Sequence, residues 1–196
     1  MPAGAPFMEA LTRMHREASP DALQGGGLVN VVREVKSGSA AANLGTVDAM
    51  TIDIVAMLFD YVFEDRHIPD SVKAMLGRLQ IPTLKVALLD KSFFSTKTHP
   101  ARRLIDLLAE ASIGLDESCE RGLATLKLVE ECVERVLLDF ETDLDLFDTL
   151  VARVEAFIEE GRVVFANDAL CRLFGYTLEE VKALPSYLEL AHPIDR

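Results

Sequence analysis

The chain has 196 residues, a formal net charge of -12 at pH 7 and hydrophobic side chains at 49% of its positions. This length suits one or two domains, and the apolar content can build a core without disulfide or metal staples. The acidic balance argues against binding nucleic acid or an anionic membrane over the whole surface. Cys119, Cys132 and Cys171 have no C-x-x-C spacing, so they indicate neither a disulfide framework nor a zinc site.

The N-terminal residues also bear on the compartment. The stretch MPAGAPFMEAL has no basic region followed by an apolar core, so no signal peptide is predicted. The strongest apolar run, Ile54 to Phe59, is far shorter than the ~18 residues of a membrane span. We therefore expect a cytoplasmic protein without membrane contact.

Residues 1–45 are predicted to form a loose N-terminal segment with one short amphipathic helix between Phe7 and Ala18. The glycine run Gly25 to Gly27 suggests a phosphate-binding loop. However, no Gly-Lys-Ser/Thr follows it, and Asn30 stands where G-x-G-x-x-G requires its last glycine. We interpret this run as a linker.

Residues 46–153 are predicted to form a helical domain. Ile52 to Phe63 is apolar on nearly all sides, which predicts a central, buried helix. Pro69, Pro82 and Pro100 are each expected near the start of a short helix, where proline is tolerated. Two longer helices follow with apolar residues three and four positions apart. The first stripe comprises Leu123, Leu126, Val129, Val133, Val136 and Phe140, and the second comprises Leu144, Phe147, Leu150, Val151, Val154 and Phe157.

The pattern changes again in residues 154–196. Val163 to Phe165 has the composition of a strand, and Asn167 is placed to cap a short helix. Thr177 and Glu180 form a capping box for another helix. The predicted fold class is therefore mainly α: a helical bundle followed by an incomplete α/β unit.

One basic cluster interrupts the acidic chain. It contains Lys85, Lys91, Lys97, His99, Arg102 and Arg103. Pro100 places the two arginines in the first turn of a helix, where free N–H groups and guanidinium forks attract anions. Lys91, His99, Arg102 and Arg103 are therefore candidates for binding a small anionic ligand, a nucleotide or an acidic partner. The alternative is that the cluster packs internally against the acidic helices that follow.

No catalytic constellation is recognisable. Ser92 and Ser95 lie near His99, but neither a nucleophile elbow nor an orienting carboxylate accompanies them. The four histidines do not occur in a metal-binding spacing. We therefore predict no enzyme activity, no metal and no cofactor.

The segment RLQIPTLKVALLDKSFFSTKTHPARRLIDLLA resembles a bacterial family catalogued as domain of unknown function sixteen thirty-one. The flanking blocks DIVAMLFDYVFEDRHIPDSVKAML and VEECVERVLLDFETDLDLFDTLVARVEAF are similar to the same family, so the resemblance covers about residues 46–158. This family has no agreed biochemical activity, so the resemblance implies none for the chain. Family members are usually much longer, so the chain resembles a C-terminal portion of such a protein. Some members carry a nucleoside-phosphorylase label, which no phosphate-binding loop supports here.

The C-terminal stretch EAFIEEGRVVFANDALCRLFGYTLEEVKALPSYLELAHPIDR resembles the opening of a PAS sensor domain. The motif residues are Gly161, Asn167, Gly175, Tyr176, Thr177, His192 and Pro193. The resemblance implies a small α/β sensor whose first strand would be Ala156 to Glu159, a stretch that also continues the helical stripe. The later helix and strands of such a sensor would lie beyond Arg196, so no ligand pocket is assigned.

Together these features favour a non-enzymatic signalling or protein-interaction module from a larger cytoplasmic, PAS-containing sensory or regulatory protein. A protein partner or self-association is expected, and nucleic acid and membrane are not. The alternative is a module that binds an anionic ligand or nucleotide through the basic cluster.

Overall fold

The computed structural model of the chain describes residues 4–17, 28–38, 41 and 44–174, with 161–174 described by backbone alone. All regular secondary structure in these ranges is helical. The chain divides into two compact units, Met1–Val154 and Glu155–Arg196. The helices are α1 (Ala5–Glu17), α2 (Val31–Ser37), α3 (Thr46–Glu64), α4 (Asp70–Gly77), α5 (Gln80–Leu89), α6 (Ser92–Ser95), α7 (Pro100–Ala111), α8 (Glu120–Asp139) and α9 (Asp145–Phe174).

Helix α5 is the centre of the first unit. Every residue from Gln80 to Leu88 is buried, because α1, α2, α3, α6 and α7 all pack around this helix. Pro82 lies in its first turn, where a missing N–H donor removes no helical hydrogen bond. The helix ends where the Asp90 N–H donates to the Val86 carbonyl at 2.8 Å.

The expectation that α3 is buried on all sides is wrong. Its inner face carries the fully buried Ile52, Val55 and Phe59, which face α2 and α5. Its outer face remains exposed in the part of the chain that the structure describes. An apolar composition on every side sets how much surface a helix could bury. It does not set how many neighbouring helices the fold supplies.

Helices α7, α8 and α9 largely follow their predicted patterns. Helix α7 begins at Pro100, and the His99 side chain accepts a hydrogen bond from the Ala101 N–H at its start. The stripe of α8 is buried from Val129 to Phe140, but Leu123 is exposed. In the first turn of α8, Gly122 packs closely against the backbone of the preceding loop, because a Cβ at this position would lie 1.9 Å from the Asp116 carbonyl oxygen.

The predicted strands Ala156 to Glu159 and Val163 to Phe165 are wrong, because helix α9 continues through both of them to Phe174. Gly161 and Asn167 are interior residues of this helix. A single glycine costs a helix only about 1 kcal/mol relative to alanine, whereas a strand needs a neighbouring strand to satisfy its backbone. The other PAS motif residues, Gly175, Tyr176, Thr177, His192 and Pro193, lie outside the described residues.

Candidate interaction surface

The structure divides the basic cluster between the core and the surface around α6. Lys85 is buried in α5, and His99, directly before α7, is buried as well, whereas Lys91, directly before α6, is exposed. Arg102 and Arg103 follow in the first turn of α7. Lys91, His99 and Arg102 are thus brought to one region.

Lys91 and His99, the two side chains of the basic cluster nearest α6, are engaged by carboxylates. The Lys91 Nζ lies 3.1 Å from an oxygen of Asp48, a buried residue in the first turn of α3. The His99 Nε2 lies 3.4 Å from Asp90, while its Nδ1 accepts the Ala101 N–H at 3.2 Å. Because Nδ1 accepts, the proton belongs on Nε2, facing Asp90. The Ser92 N–H and His99 hold the pKa of Asp90 below its ordinary value.

The arginines add a third internal link. Arg102 donates through Nη1 to the Phe93 carbonyl at 3.4 Å, while Arg103 is exposed. Among the residues that the structure describes, the partners of Lys91, His99 and Arg102 come from α3 and from the segment between Asp90 and Ala101 itself, rather than from the acidic helices α8 and α9. These three residues therefore hold α6 against its neighbours, and their donors are already directed at protein acceptors.

Lys85 forms a different arrangement, with His15 of α1. Lys85 is only 3% exposed, and its Nζ lies 5.3 Å from the centre of the Phe140 ring, a cation–π contact. His15 is also buried, and its Nε2 has no hydrogen-bond partner among the described residues. Burial, and then the charge of Lys85, lower the pKa of His15 to about 4. Sequence reasoning did not single out His15, because burial beside a lysine has no local signature.

The feature that sequence reasoning missed lies on the outer face of α3. Five large apolar side chains there are 42–76% exposed: Val47, Met50, Ile54, Met57 and Tyr61. They recur in steps of three and four residues, so they lie on one side of the helix over about 21 Å. We call this set the α3 stripe. Its signal was hidden because α3 is apolar on its inner face as well.

One edge of the α3 stripe is formed by ion pairs with α2. Asp53 pairs with Lys36 at 2.6 Å, and Asp60 pairs with Arg33. Asn30, at the start of α2, donates to the Ala56 carbonyl of α3 at 2.7 Å and to Asp60 at 2.6 Å. An apolar stripe beside fixed, paired charges has the layout of an interface core with a polar rim.

The residues that the structure describes build neither a metal site nor a membrane-spanning helix. Across the described ranges, no three His, Cys, Asp or Glu side chains are grouped so that they could hold a metal ion. No helix that the structure describes is long and apolar enough to cross a membrane.

Comparison with known proteins gives one match. The family model described as "Protein of unknown function (DUF1631) 2nd domain" matches residues 6–143. The match includes α1 and α2, which the sequence analysis placed in a segment outside the family. No curated protein and no solved structure matches the chain. The chain therefore belongs to the DUF1631 family of proteins of unknown function, and residues 6–143 correspond to the second domain of that family.

Proposed function

We propose that this chain is a non-enzymatic protein-interaction module whose docking surface is the α3 stripe. The observation that carries the proposal is the exposure of five large apolar side chains in one line. Soluble monomers expose single apolar side chains freely, but contiguous apolar patches mark interaction sites. Methionine and tyrosine, three of the five members, are enriched in protein interfaces.

The rim of the stripe favours a protein over a lipid surface. Helices that lie in a membrane interface carry lysine and arginine along their polar face. Here Asp53 and Asp60 flank the stripe on α3 itself, and the nearby Lys36 and Arg33 are paired to them. A protein with its own polar rim fits these paired charges better than an anionic headgroup layer does.

The alternative, an anion-binding module built on Lys91, His99, Arg102 and Arg103, has less support. Asp48, Asp90 and the Phe93 carbonyl already engage three of these residues. An incoming phosphate would have to displace these protein acceptors. Calorimetric titration with nucleotides is expected to give no heat of binding.

The signalling half of the hypothesis rests on the PAS resemblance alone. Its supporting residues are motif positions such as Gly175 and His192, for which the structure gives no geometry. The interaction proposal does not depend on them, because the α3 stripe belongs to the unit Met1–Val154.

Affinity capture tests the interaction proposal. The full chain and its Met50→Glu/Met57→Glu variant would be used as baits in extract from the source cells, with bound proteins identified by mass spectrometry. The matched control is Leu138→Glu, because Leu138 is 80% exposed on α8, away from the stripe. We expect a protein retained by the wild type and the control but lost with the stripe variant. Equal retention by all three baits would contradict the proposal.

A further inference from the structure

We propose that the occupant of the α3 stripe is a second copy of this chain, and that two α3 helices pair antiparallel about a two-fold axis. This inference rests on the proposed function and specifies its partner. Three features of the described residues carry it: the spacing of the stripe, the charge at the two ends of α3 and the area available.

The spacing is that of a helix–helix seam. Val47, Ile54 and Tyr61 are seven residues apart, and Met50 and Met57 lie between them, as a and d positions alternate in a heptad repeat. Ile52 and Phe59, at the opposite f positions, are fully buried in the protomer. A seam of this kind is self-complementary, because the knobs of one helix fit the holes of an identical one.

The charges at the ends of α3 favour the antiparallel direction. Glu64 follows Tyr61 at the next stripe position and is exposed. In a parallel pair it would face the partner's Glu64. In an antiparallel pair with Met50 opposite the partner's Tyr61, it reaches the partner's Val47, at the start of α3. That helix end has no side-chain cap, so the free N–H groups of its first turn attract a carboxylate.

The area is sufficient for a specific but modest interface. Exposed side chains of this size offer about 100 Å² each, so two stripes together would bury about 1,000 Å², the lower limit for specific interfaces. Contacts from the α2 side of the rim would add to this. We therefore expect a dimer that dissociates on dilution.

Sedimentation equilibrium of the full chain over a wide concentration range tests the second copy. We expect a reversible monomer–dimer equilibrium in the wild type and in Leu138→Glu. Met57→Glu should raise the dissociation constant about 100-fold, because a carboxylate would be desolvated in the seam. A monomer at every concentration, or a dimer that Met57→Glu does not weaken, would overturn the inference. Circular dichroism would confirm that each variant is folded.

Cysteine cross-linking tests the direction. The new cysteines would be introduced into a chain that carries Cys119→Ser and Cys171→Ser, so that these two native thiols cannot react. Serine also suits the helix cap that the Cys119 Sγ now forms with the Gly122 N–H. A mixture of Met50→Cys and Tyr61→Cys chains should cross-link across the seam with a short reagent. Two Met50→Cys chains should not, since their thiols would be about 16 Å apart along the axis. Efficient cross-linking of Met50→Cys to itself would overturn the antiparallel arrangement.

Failure of this inference and failure of the proposed function give different results. A wild-type chain that remains monomeric but still captures another protein through the stripe would overturn the second copy and leave the interaction module standing. A monomer whose captured proteins do not depend on the stripe would overturn both.

Discussion

Helices α3 and α5 are both strongly apolar but occupy different positions in the fold. Helix α3 also carries four acidic residues, whereas α5 carries none. Helix α5 is surrounded by five other helices and buries even Gln80, Thr83 and Lys85. Helix α3 buries one face against α2 and α5 and leaves the stripe on its other face exposed. A strongly apolar helix is thus core on every side in α5, whereas α3 presents an exposed apolar stripe on one face.

The polar residues that border the α3 stripe differ in the same way from those of α5. In α5, the Gln80 amide donates to the Val29 and Gly77 carbonyls at 3.0 Å and accepts the Val32 N–H at 3.4 Å. In α3, Asp53 and Asp60 lie toward solvent and pair with α2. Buried polar groups with partners mark the core, and exposed ion pairs mark the rim of a surface.

The largest expected effect comes from truncating one side chain in each of the two helices. Leu84→Ala removes a fully buried side chain of α5 and is expected to lower the free energy of unfolding by about 3 kcal/mol. Met57→Ala on the α3 stripe is expected to change it by less than about 0.5 kcal/mol. Urea denaturation of dilute protein measures both. Equal losses in the two variants would remove the distinction between core and surface.

The Gln80→Leu variant tests whether the amide of α5 holds α2 in place. Two carbonyls and one N–H would lose a partner, so we expect a loss of about 2.5 kcal/mol in the free energy of unfolding. Hydrogen exchange should show lower protection in α2 than in α8. A variant as stable as the wild type would show that packing alone places α2.

His15 makes the stability of the core depend on pH. Its pKa lies at about 4 in the folded chain and at 6.5 in the unfolded chain, so only the unfolded chain gains this proton near pH 5. The free energy of unfolding should therefore fall by about 2 kcal/mol between pH 7 and pH 5. The His15→Leu variant should lose this dependence, whereas His67→Gln, at an exposed position, should keep it. Parallel pH profiles for wild type and His15→Leu would contradict this account.

The smallest expected effect concerns the rim of the α3 stripe. Asn30→Ala removes the cap of α2 and its hydrogen bond to the Ala56 carbonyl, which should cost about 1 kcal/mol. Ser37→Ala, at the exposed end of the same helix, should cost much less. Thermal unfolding compares the two, and a larger loss for Ser37→Ala would show that the C-terminal end of α2, rather than Asn30, holds the rim in place.

The sequence predicted most of the helices because their signals are local. Pro100 marks the start of α7, and the spacing from Val129 to Phe140 defines the buried face of α8. The predicted strand at Val163 was wrong, since β-branched composition says nothing about whether a partner strand is present. The burial of α3 and α5 depends on which helices surround them, and that information lies outside either segment.

The site was harder to predict for the same reason. Lys91 was singled out by its charge, but its partner Asp48 lies 43 residues away in the chain. The α3 stripe was invisible because an apolar residue such as Met57 becomes informative only when it is known to be exposed. Long-range packing therefore decided both which carboxylate engages Lys91 and which apolar side chains of α3 stay exposed.

The most direct measurement of the central claim is methionine oxidation by dilute peroxide as a function of protein concentration. Met50 and Met57 lie in the α3 stripe, and Met75, half-buried on α4, serves as the internal reference. The account predicts that Met50 and Met57 become protected together as concentration rises, while Met75 does not change. Oxidation of all three at rates independent of concentration would contradict the claim that the α3 stripe joins two copies of the chain.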